Sequence, residues 1–240
     1  MPGTLAKSKS TAKELRARAG RMLYDLLGGR PPSRAYSEKI VSYSERCVFV
    51  GVPKVASTSL LRHFHALRLL ADGVVESAPL PELLKRHPEA ARFTRFGFVR
   101  NPWSRLLSCY RDKIEGGGRD PHFKLATYHG LSPAMSFDAF VRWVHSSPDG
   151  QDARADRHWM SQHRFFDAGD ASTMDFIGRF ERLESDLAGI STRLGFPAKP
   201  LTERLNASGP GNYRRFYTNE TAALVAERYA VDIRAFGYVF

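Results

Sequence analysis

The segment that decides the fold is Cys47-Val-Phe-Val-Gly-Val-Pro-Lys-Val-Ala-Ser-Thr-Ser59. Its apolar first half predicts a β-strand over residues 47–52, which a loop at 53–57 joins to a helix over about residues 58–70. The first turn of a helix presents unpaired backbone N–H groups and the positive end of the helix dipole. The junction between strand and helix therefore predicts a binding site for a phosphate group.

The side chains of this loop favour the same interpretation. Lys54 supplies a full positive charge, and hydroxyl donors follow at three successive positions. The candidate phosphate-binding loop consists of Pro53, Lys54, Val55, Ala56, Ser57, Thr58 and Ser59. The alternative is an ordinary turn in which the hydroxyl groups only cap the helix.

The loop differs from a Walker A motif, in which Gly-Lys directly precedes Ser or Thr. Lys54 lies three positions before Ser57, and no glycine separates them. A Walker A hydroxyl binds magnesium, whereas this spacing favours one phosphate held without an obligatory metal. A small-molecule kinase of the P-loop type remains the enzymatic alternative, but it predicts a Gly-Lys-Ser/Thr sequence and an acidic metal ligand after a later strand. Neither is evident.

A second junction of strand and helix follows about forty residues later. Residues 94–99 predict a strand, and a helix begins at Pro102 with Asn101 as its cap. A core-facing stripe at helical spacing comprises Trp103, Leu106, Leu107, Tyr110 and Ile114. Arg100 lies at the mouth of the strand, and Ser108 lies on a different face of the helix from the tryptophan stripe. We expect this pair to bind a second anionic group.

The rest of the chain continues the alternation of strands and helices. We expect a short helix at 82–86, a core-facing helix capped by Ser136, a strand at 175–180 with a helix to about Leu194, and a last helix at about 219–231. Alternation of this kind predicts an α/β fold with a central parallel sheet flanked by helices and a ligand beyond the carboxyl ends of the strands. We divide the chain into a basic arm, residues 1–35, and a single domain, residues 36–240.

The two junctions together resemble the nucleotide-binding motifs of sulfotransferases that use 3′-phosphoadenosine 5′-phosphosulfate (PAPS). The sequences are PKVAST at 53–58 and RNPWSRLLSCYRDK at 100–113, and they are most similar to the membrane-associated type of carbohydrate sulfotransferase, family 2. The similarity covers roughly residues 45–240. It continues through residues 136–144, 156–159, 175–184 and 229–238. The resemblance implies a P-loop-like three-layer sandwich.

The resemblance also implies a reaction, in which a sulfuryl group moves from PAPS to a hydroxyl of an acceptor, in the first place a carbohydrate. Lys54 and the loop around it would hold the 5′-phosphosulfate, and Lys54 would neutralise the leaving phosphate. Arg100 and Ser108, eight residues apart as in the family, would hold the 3′-phosphate. Arg214 and Arg215 belong to a segment, 205–217, that approaches the nucleotide in the family.

Two positions depart from the family pattern. Asn101 replaces the usual aspartate of the second motif, which should preserve helix capping. The cysteine that commonly follows the His-Trp element is missing, which removes a potential disulfide.

The general base is the least defined part of the predicted site. We choose His158 because it lies in a His-Trp element similar to one in carbohydrate sulfotransferases and because imidazole accepts a proton near neutral pH. The alternative for His158 is a purely structural role. Rival bases are His63, His65 and Glu115, and candidates for contact with the acceptor are His122, His129 and His163. Asp175 and Glu181 are expected to stabilise the fold.

The overall charge favours an anionic partner. Lys and Arg number 36 against 25 Asp and Glu, which gives a net charge of +11. Part of that excess lies in the arm, at Lys7, Lys9, Lys13, Arg16, Arg18, Arg21 and Arg30. The arm is a candidate for peripheral contact with a membrane surface, or it is simply solvated. A polyanion-binding protein without enzymatic activity is the second alternative function, although it leaves the spacing of Arg100 and Ser108 unexplained. We expect no nucleic acid partner.

Cysteine content and hydropathy give the expected environment. Cys47 and Cys109 are predicted to be reduced core thiols, too few for a disulfide framework or a cysteine metal site. The sequence shows no apolar run of about 18 residues and no secretory signal. We therefore expect a soluble, cytoplasmic protein of bacterial type.

Overall fold

The computed structural model describes residues 37–66, 73–116, 123, 125–166, 174–196 and 212–240. The predictions for the arm at residues 1–35, for His122 and for residues 205–211 lie outside this part of the chain.

The strands are β1 (Lys39–Ser42), β2 (Cys47–Val50), β3 (Val74–Glu76), β4 (Thr94–Val99) and β5 (Phe176–Arg179). The α-helices are α1 (Ser57–Ala66), α2 (Leu80–Arg86), α3 (Pro102–Tyr110), α4 (Phe137–Ser146), α5 (Leu183–Arg193), α6 (Asn219–Arg228) and α7 (Ala230–Phe236). A π-helical turn, Arg111–Glu115, extends α3. Short 3-10 helices occur at Pro88–Arg92, Leu125–Thr127, Gln162–Phe166, Phe180–Arg182 and Tyr213–Phe216.

The five strands form one mixed sheet in the order β3-β1-β2-β4-β5. β2, β4 and β5 are parallel, with Val50 opposite Gly97 and Val99 opposite Arg179. This confirms the predicted central parallel sheet flanked by helices. β1 and β3 add an antiparallel edge that the sequence pattern did not reveal, because β1 is fully buried and shows no alternation of polar and apolar residues.

Two predicted helix starts are confirmed by their caps. The Asn101 side chain accepts hydrogen bonds from the backbone N–H groups of Trp103 and Ser104 at the start of α3. The Ser136 hydroxyl accepts from the N–H of Ala139 at the start of α4. The single helix expected at 219–231 is wrong, because the chain breaks at Tyr229 into α6 and α7.

The core lies on the sheet and under α3 and α4. Phe49, Phe96 and Phe98 are buried along the central strands, and Trp103 and Phe140 are buried on the helices. Both cysteines are buried and free, as predicted. Among the described residues, no helix combines the length and the apolar character that crossing a bilayer needs. The carboxyl ends of β2, β4 and β5 share one edge of the sheet, where the candidate residues lie.

Candidate active site

The loop between β2 and α1 has an unusual backbone. Lys54 and Ala56 both adopt left-handed conformations, with φ of 69° and 63°. A residue with a Cβ atom is strained in this region by about 1–3 kcal/mol, and such residues cluster at functional sites. Left-handed residues within a loop let successive N–H groups converge on one point, which suits an anion. The loop therefore has the geometry of an anion cradle without the glycines of a Walker A motif.

Lys54 is held by a carboxylate that the sequence did not identify. Its Nζ donates to Oδ2 of Asp112 over 3.0 Å, and Nζ of Lys113 lies 3.4 Å from the same oxygen. Burial alone would raise the pKa of Asp112, but the two ammonium groups lower it overall. Asp112 lies in the π-helical turn, a type of distortion that often marks functional sites. Lys54 and Asp112 are 58 positions apart, which explains why no local motif revealed the pair.

Arg100 joins the second junction to the first. Its Nη1 donates to the backbone oxygen of Lys54 over 3.2 Å, and its Nε donates to Oγ of Ser104 over 2.9 Å. The guanidinium lies 4.1 Å from the ring centroid of Phe180. Burial lowers the pKa of Arg100 to about 10, against the opposing effect of Glu181, so the group stays charged at neutral pH. The two predicted anion sites are therefore parts of one cationic region.

Two further predicted donor ligands, Ser108 and Arg214, lie in the region of the second junction. Ser108 is half-buried on α3, one turn beyond Ser104, which already contacts Arg100. Ser104 was missed, although its spacing of four residues from Ser108 places both hydroxyls on one face of α3. Arg214 lines a cavity of about 400 Å³ together with Asn101, the neighbour of Arg100. The structure thus places Arg214 near the second junction, and its ring contacts are with Tyr213 and Phe240.

Arg105 connects the phosphate loop to the segment that carries His158. The guanidinium is buried and donates to three backbone oxygens, those of Pro53 at 3.0 Å, Met160 at 2.7 Å and Arg157 at 3.2 Å. Sequence reasoning missed this residue, since its partners lie 52 and 55 residues away. The planar guanidinium of Arg105 therefore links the phosphate loop to the segment of residues 157–160.

His158 is part of a hydrogen-bonded network. Its Nδ1 lies 2.5 Å from Oδ1 of Asp156, and the hydroxyl of Tyr128 donates to Oδ2 of Asp156 over 2.5 Å. Burial would raise the pKa of Asp156, but these donors hold it at about 2. Burial lowers the pKa of His158 from its ordinary value, while Asp156 opposes that shift. His158 is therefore neutral at neutral pH and able to accept a proton.

A chain of contacts leads from His158 to the phosphate loop. The ring of Phe123 packs edge-on against His158 at 5.7 Å and lies 5.0 Å from Nζ of Lys113. Lys113 shares the carboxylate of Asp112 with Lys54. The predicted base and the predicted phosphate ligand thus lie on neighbouring parts of the molecule, joined through two residues of the π-helical turn.

The other candidate bases have different surroundings. His63 is buried in α1 and packs against Phe64, and His129 is exposed in a loop. The side chain of His65 lies outside the described part of the structure. Glu115 is exposed at the end of the π-helical turn.

His163, a candidate for contact with the acceptor, is instead buried with its Nδ1 2.7 Å from Asp232. Asp175 and Glu181 bond to the backbone N–H groups of Arg95 and Asn101, which confirms their structural roles.

The asparagine that departs from the family pattern has a physical explanation. Nδ2 of Asn101 donates to the backbone oxygen of Val239 over 2.9 Å, which an aspartate could not do. The backbone N–H of Asn101 donates to Oε1 of Glu181 over 2.7 Å, so an aspartate would also place a second negative charge beside that carboxylate. Asn101 preserves the cap and ties α3 to the C-terminal segment.

Comparison with known proteins gives the family. The model of the Sulfotransferase family matches residues 37–239. The chain belongs to this family. The match covers both junctions, the His-Trp element and the C-terminal helices, so the resemblance deduced from the two nucleotide-binding motifs is confirmed. No solved structure matches the chain significantly.

The curated relatives are carbohydrate sulfotransferases. Carbohydrate sulfotransferase 14 of Homo sapiens is 27% identical over 229 residues, which cover 83% of this chain and 59% of the relative. Its counterpart in Danio rerio is 30% identical, covering 66% of this chain and 48% of the relative. Carbohydrate sulfotransferase 10 of Xenopus laevis is 25% identical, covering 82% and 66%. The chain therefore spans about half to two thirds of the length of these relatives.

Within the described ranges, no group of three or more His, Cys, Asp or Glu side chains is placed to hold a metal ion. A donor site without a metal stays a prediction.

Proposed function

We propose that this protein is a sulfotransferase that moves a sulfuryl group from PAPS to a hydroxyl group of a carbohydrate. The observation that carries the proposal is the hydrogen bond from Arg100 to the backbone oxygen of Lys54, which unites two anion-binding junctions. A nucleotide phosphorylated at both its 5′ and 3′ positions needs two such sites at a fixed separation. Membership of the Sulfotransferase family supports the same function.

The residues of the site fit the donor. Lys54 and the strained loop around it are suited to the 5′-phosphosulfate, with the hydroxyls of Ser57, Thr58 and Ser59 at the start of α1. Arg100 and Ser108 are suited to the 3′-phosphate, and Arg214 lies close enough to the second junction to assist. PAPS would supply a sulfuryl group already attached to a good leaving group, a phosphate.

The chemistry that remains for the protein is electrostatic and acid–base. His158 takes the proton of the acceptor hydroxyl as the acceptor oxygen forms its bond to sulfur. The bond between sulfur and the 5′-phosphate oxygen breaks, its electron pair stays on that oxygen, and Lys54 neutralises the new charge. The ion pair with Asp112 must loosen when Lys54 turns to the donor. Because His158 has a lowered pKa, we expect transfer to rise with pH and to level off by neutrality.

A carbohydrate acceptor follows from the names of the relatives and from the basic character of the chain. The net charge of +11 favours an acceptor that itself carries negative charge. Arg157 and Lys113 add positive charge near His158, which supports the same expectation. The cytoplasmic location and the membrane contact through the arm stay predictions.

Two measurements test the proposal. Calorimetry with 3′,5′-ADP should give micromolar binding without magnesium, and the Lys54→Ala and Arg100→Ala proteins should each lose most of it. A transfer assay with labelled sulfate across glycans, lipids and phenols should then find an acceptor, with those two variants as blanks. Binding of ATP alone, and only with magnesium, would favour the kinase. Binding of any polyanion, without preference for 3′,5′-ADP, would favour a protein that only binds polyanions.

A further inference from the structure

The carboxylate of Asp156 accepts three hydrogen bonds, two from His158 and one from Tyr128. Oδ1 accepts from the backbone N–H of His158 over 2.9 Å and lies 2.5 Å from Nδ1 of the same residue. Oδ2 accepts from the hydroxyl of Tyr128 over 2.5 Å. The carboxylate thus binds both the backbone and the ring of His158 through one oxygen, and its other oxygen is hydrogen-bonded to Tyr128.

This geometry determines which ring nitrogen can act. An ionised carboxylate only accepts hydrogen bonds, so Nδ1 of His158 must carry the hydrogen. In the neutral ring Nε2 is then the unprotonated nitrogen and the proton acceptor. Within the described residues, Nε2 of His158 makes no hydrogen bond.

We propose that Asp156 is a positioning residue for sulfuryl transfer, which holds His158 in the tautomer that accepts a proton at Nε2 and stabilises the imidazolium that then forms. Tyr128 completes the arrangement by orienting the carboxylate. The inference rests on the proposed function, since His158 is its general base.

Charge contributes as well as orientation. The groups that face His158 are Asp156 and Tyr128 in the network, Lys113 across the ring of Phe123, and the adjacent Arg157. Burial and the two cations disfavour the imidazolium, and Asp156 is the group among them that favours it. Removal of this one negative charge therefore lowers the basicity of His158.

The test separates the charge from the hydrogen bonds. In Asp156→Asn, the side-chain oxygen can still accept both bonds from His158, and the new amide can donate to the Tyr128 oxygen. We expect the fold and the tautomer to persist. Transfer should fall about tenfold to a hundredfold, and the rising limb of the pH profile should move to lower pH. The Asp156→Ala variant loses both the charge and the hydrogen bonds, so its transfer rate should fall further.

The matched control is Glu227→Gln. Glu227 lies 2.9 Å from Nε2 of His145 at the surface. The variant therefore also neutralises a carboxylate beside a histidine, but one that belongs to neither the predicted base nor the predicted donor ligands. Its transfer rate and pH profile should equal those of the wild type. All variants should bind 3′,5′-ADP with unchanged affinity, because Asp156 contacts no predicted donor ligand.

A second readout does not need an acceptor. Nitrogen-15 NMR of the imidazole rings, with His158→Ala for assignment, should show hydrogen on Nδ1 of His158 and a lower pKa in Asp156→Asn. A hydrogen on Nε2 in the wild type, or a pKa and transfer rate unchanged in Asp156→Asn, would overturn the positioning role. Failure of the wild type to bind 3′,5′-ADP would instead overturn the proposed function, and the NMR result would still decide how Asp156 acts on His158.

Discussion

The described part of the chain contains two buried pairs of aspartate and histidine, which share their chemistry but not their surroundings. Asp156 contacts Nδ1 of His158 at 2.5 Å, and Asp232 contacts Nδ1 of His163 at 2.7 Å. The first pair lies within one turn of chain, whereas the second joins residues 69 positions apart. A side-chain contact alone therefore does not distinguish a positioned base from a structural link.

The difference lies in what else each aspartate holds. Asp232 is fully buried and accepts from the backbone N–H groups of Gln162 and His163, at 2.6 and 2.9 Å. Gln162 in turn exchanges two hydrogen bonds with the backbone of Arg100. Asp232 thus supports the backbone under a predicted donor ligand. The other oxygen of Asp156 accepts a hydrogen bond from Tyr128. The ring of His158 packs against Phe123, which also contacts Lys113.

The largest expected effect comes from removing the two histidines in turn. His158→Ala should lower transfer about 100- to 10,000-fold with unchanged binding of 3′,5′-ADP, because only the base is lost. His163→Ala should instead lower the melting temperature and leave the pH profile of the folded protein unchanged. Steady-state kinetics and thermal unfolding on both variants measure this. Substantial transfer by His158→Ala would mean that both pairs only stabilise the fold.

The second effect concerns the two aspartates. Asp232→Ala leaves two backbone N–H groups and the His163 ring without their acceptor in the core, so we expect a loss of about 3–5 kcal/mol in the free energy of unfolding. Asp156→Ala should cost less stability and more activity. Urea unfolding followed by fluorescence gives both values. An equal loss of stability in the two variants would contradict the distinction.

A smaller effect should follow from Tyr128→Phe, which removes one hydrogen bond to Asp156 and keeps the aromatic packing against Trp159. A hydrogen bond to a charged group contributes about 1.5–3 kcal/mol, and only part of this loss reaches His158, so transfer should fall up to about tenfold while the tautomer of His158 is retained. The ratio of kcat to that of wild type, measured at saturating acceptor, tests this. A loss as large as that of His158→Ala would show that Tyr128 itself takes part in proton transfer.

The smallest effect should come from the exposed pair of His145 and Glu227. Surface ion pairs contribute little, so Glu227→Ala should change the free energy of unfolding by no more than about 0.5 kcal/mol. Urea unfolding under the same conditions supplies this baseline. A change of several kcal/mol would mean that contact with a histidine, rather than burial, determines the stability difference between the two buried pairs.

The local elements followed from local sequence signals. The apolar run at β2, the caps at Asn101 and Ser136, and the helical stripe of α3 were all readable because each depends on neighbouring residues. β1 and β3 were not anticipated, since these short antiparallel strands are defined by their pairing with distant or neighbouring strands rather than by a local pattern. The break at Tyr229 between α6 and α7 was also missed, because no glycine or proline marks it.

The candidate site divides in the same way. Lys54, Arg100 and Ser108 could be predicted as donor ligands from the sequence because anion-binding junctions and family motifs are contiguous. Asp112 and Arg105 could not be assigned their roles, although both lie inside the second motif, since their partners are more than 50 residues away. His158 was identified through its motif, but the neighbouring Asp156 and the distant Tyr128 gained meaning only from their distances.

The sequence by itself determined the family, the two candidate phosphate-binding junctions and the central strands, because each rests on residues close together along the chain. Only the tertiary structure decided that Arg100 contacts the loop of Lys54, that Asp112 binds that lysine, and that the partner aspartates of two equally buried histidines bond to different groups. Those facts depend on which carboxylates and carbonyl groups meet when distant segments pack, and burial then sets the charge that each group can carry.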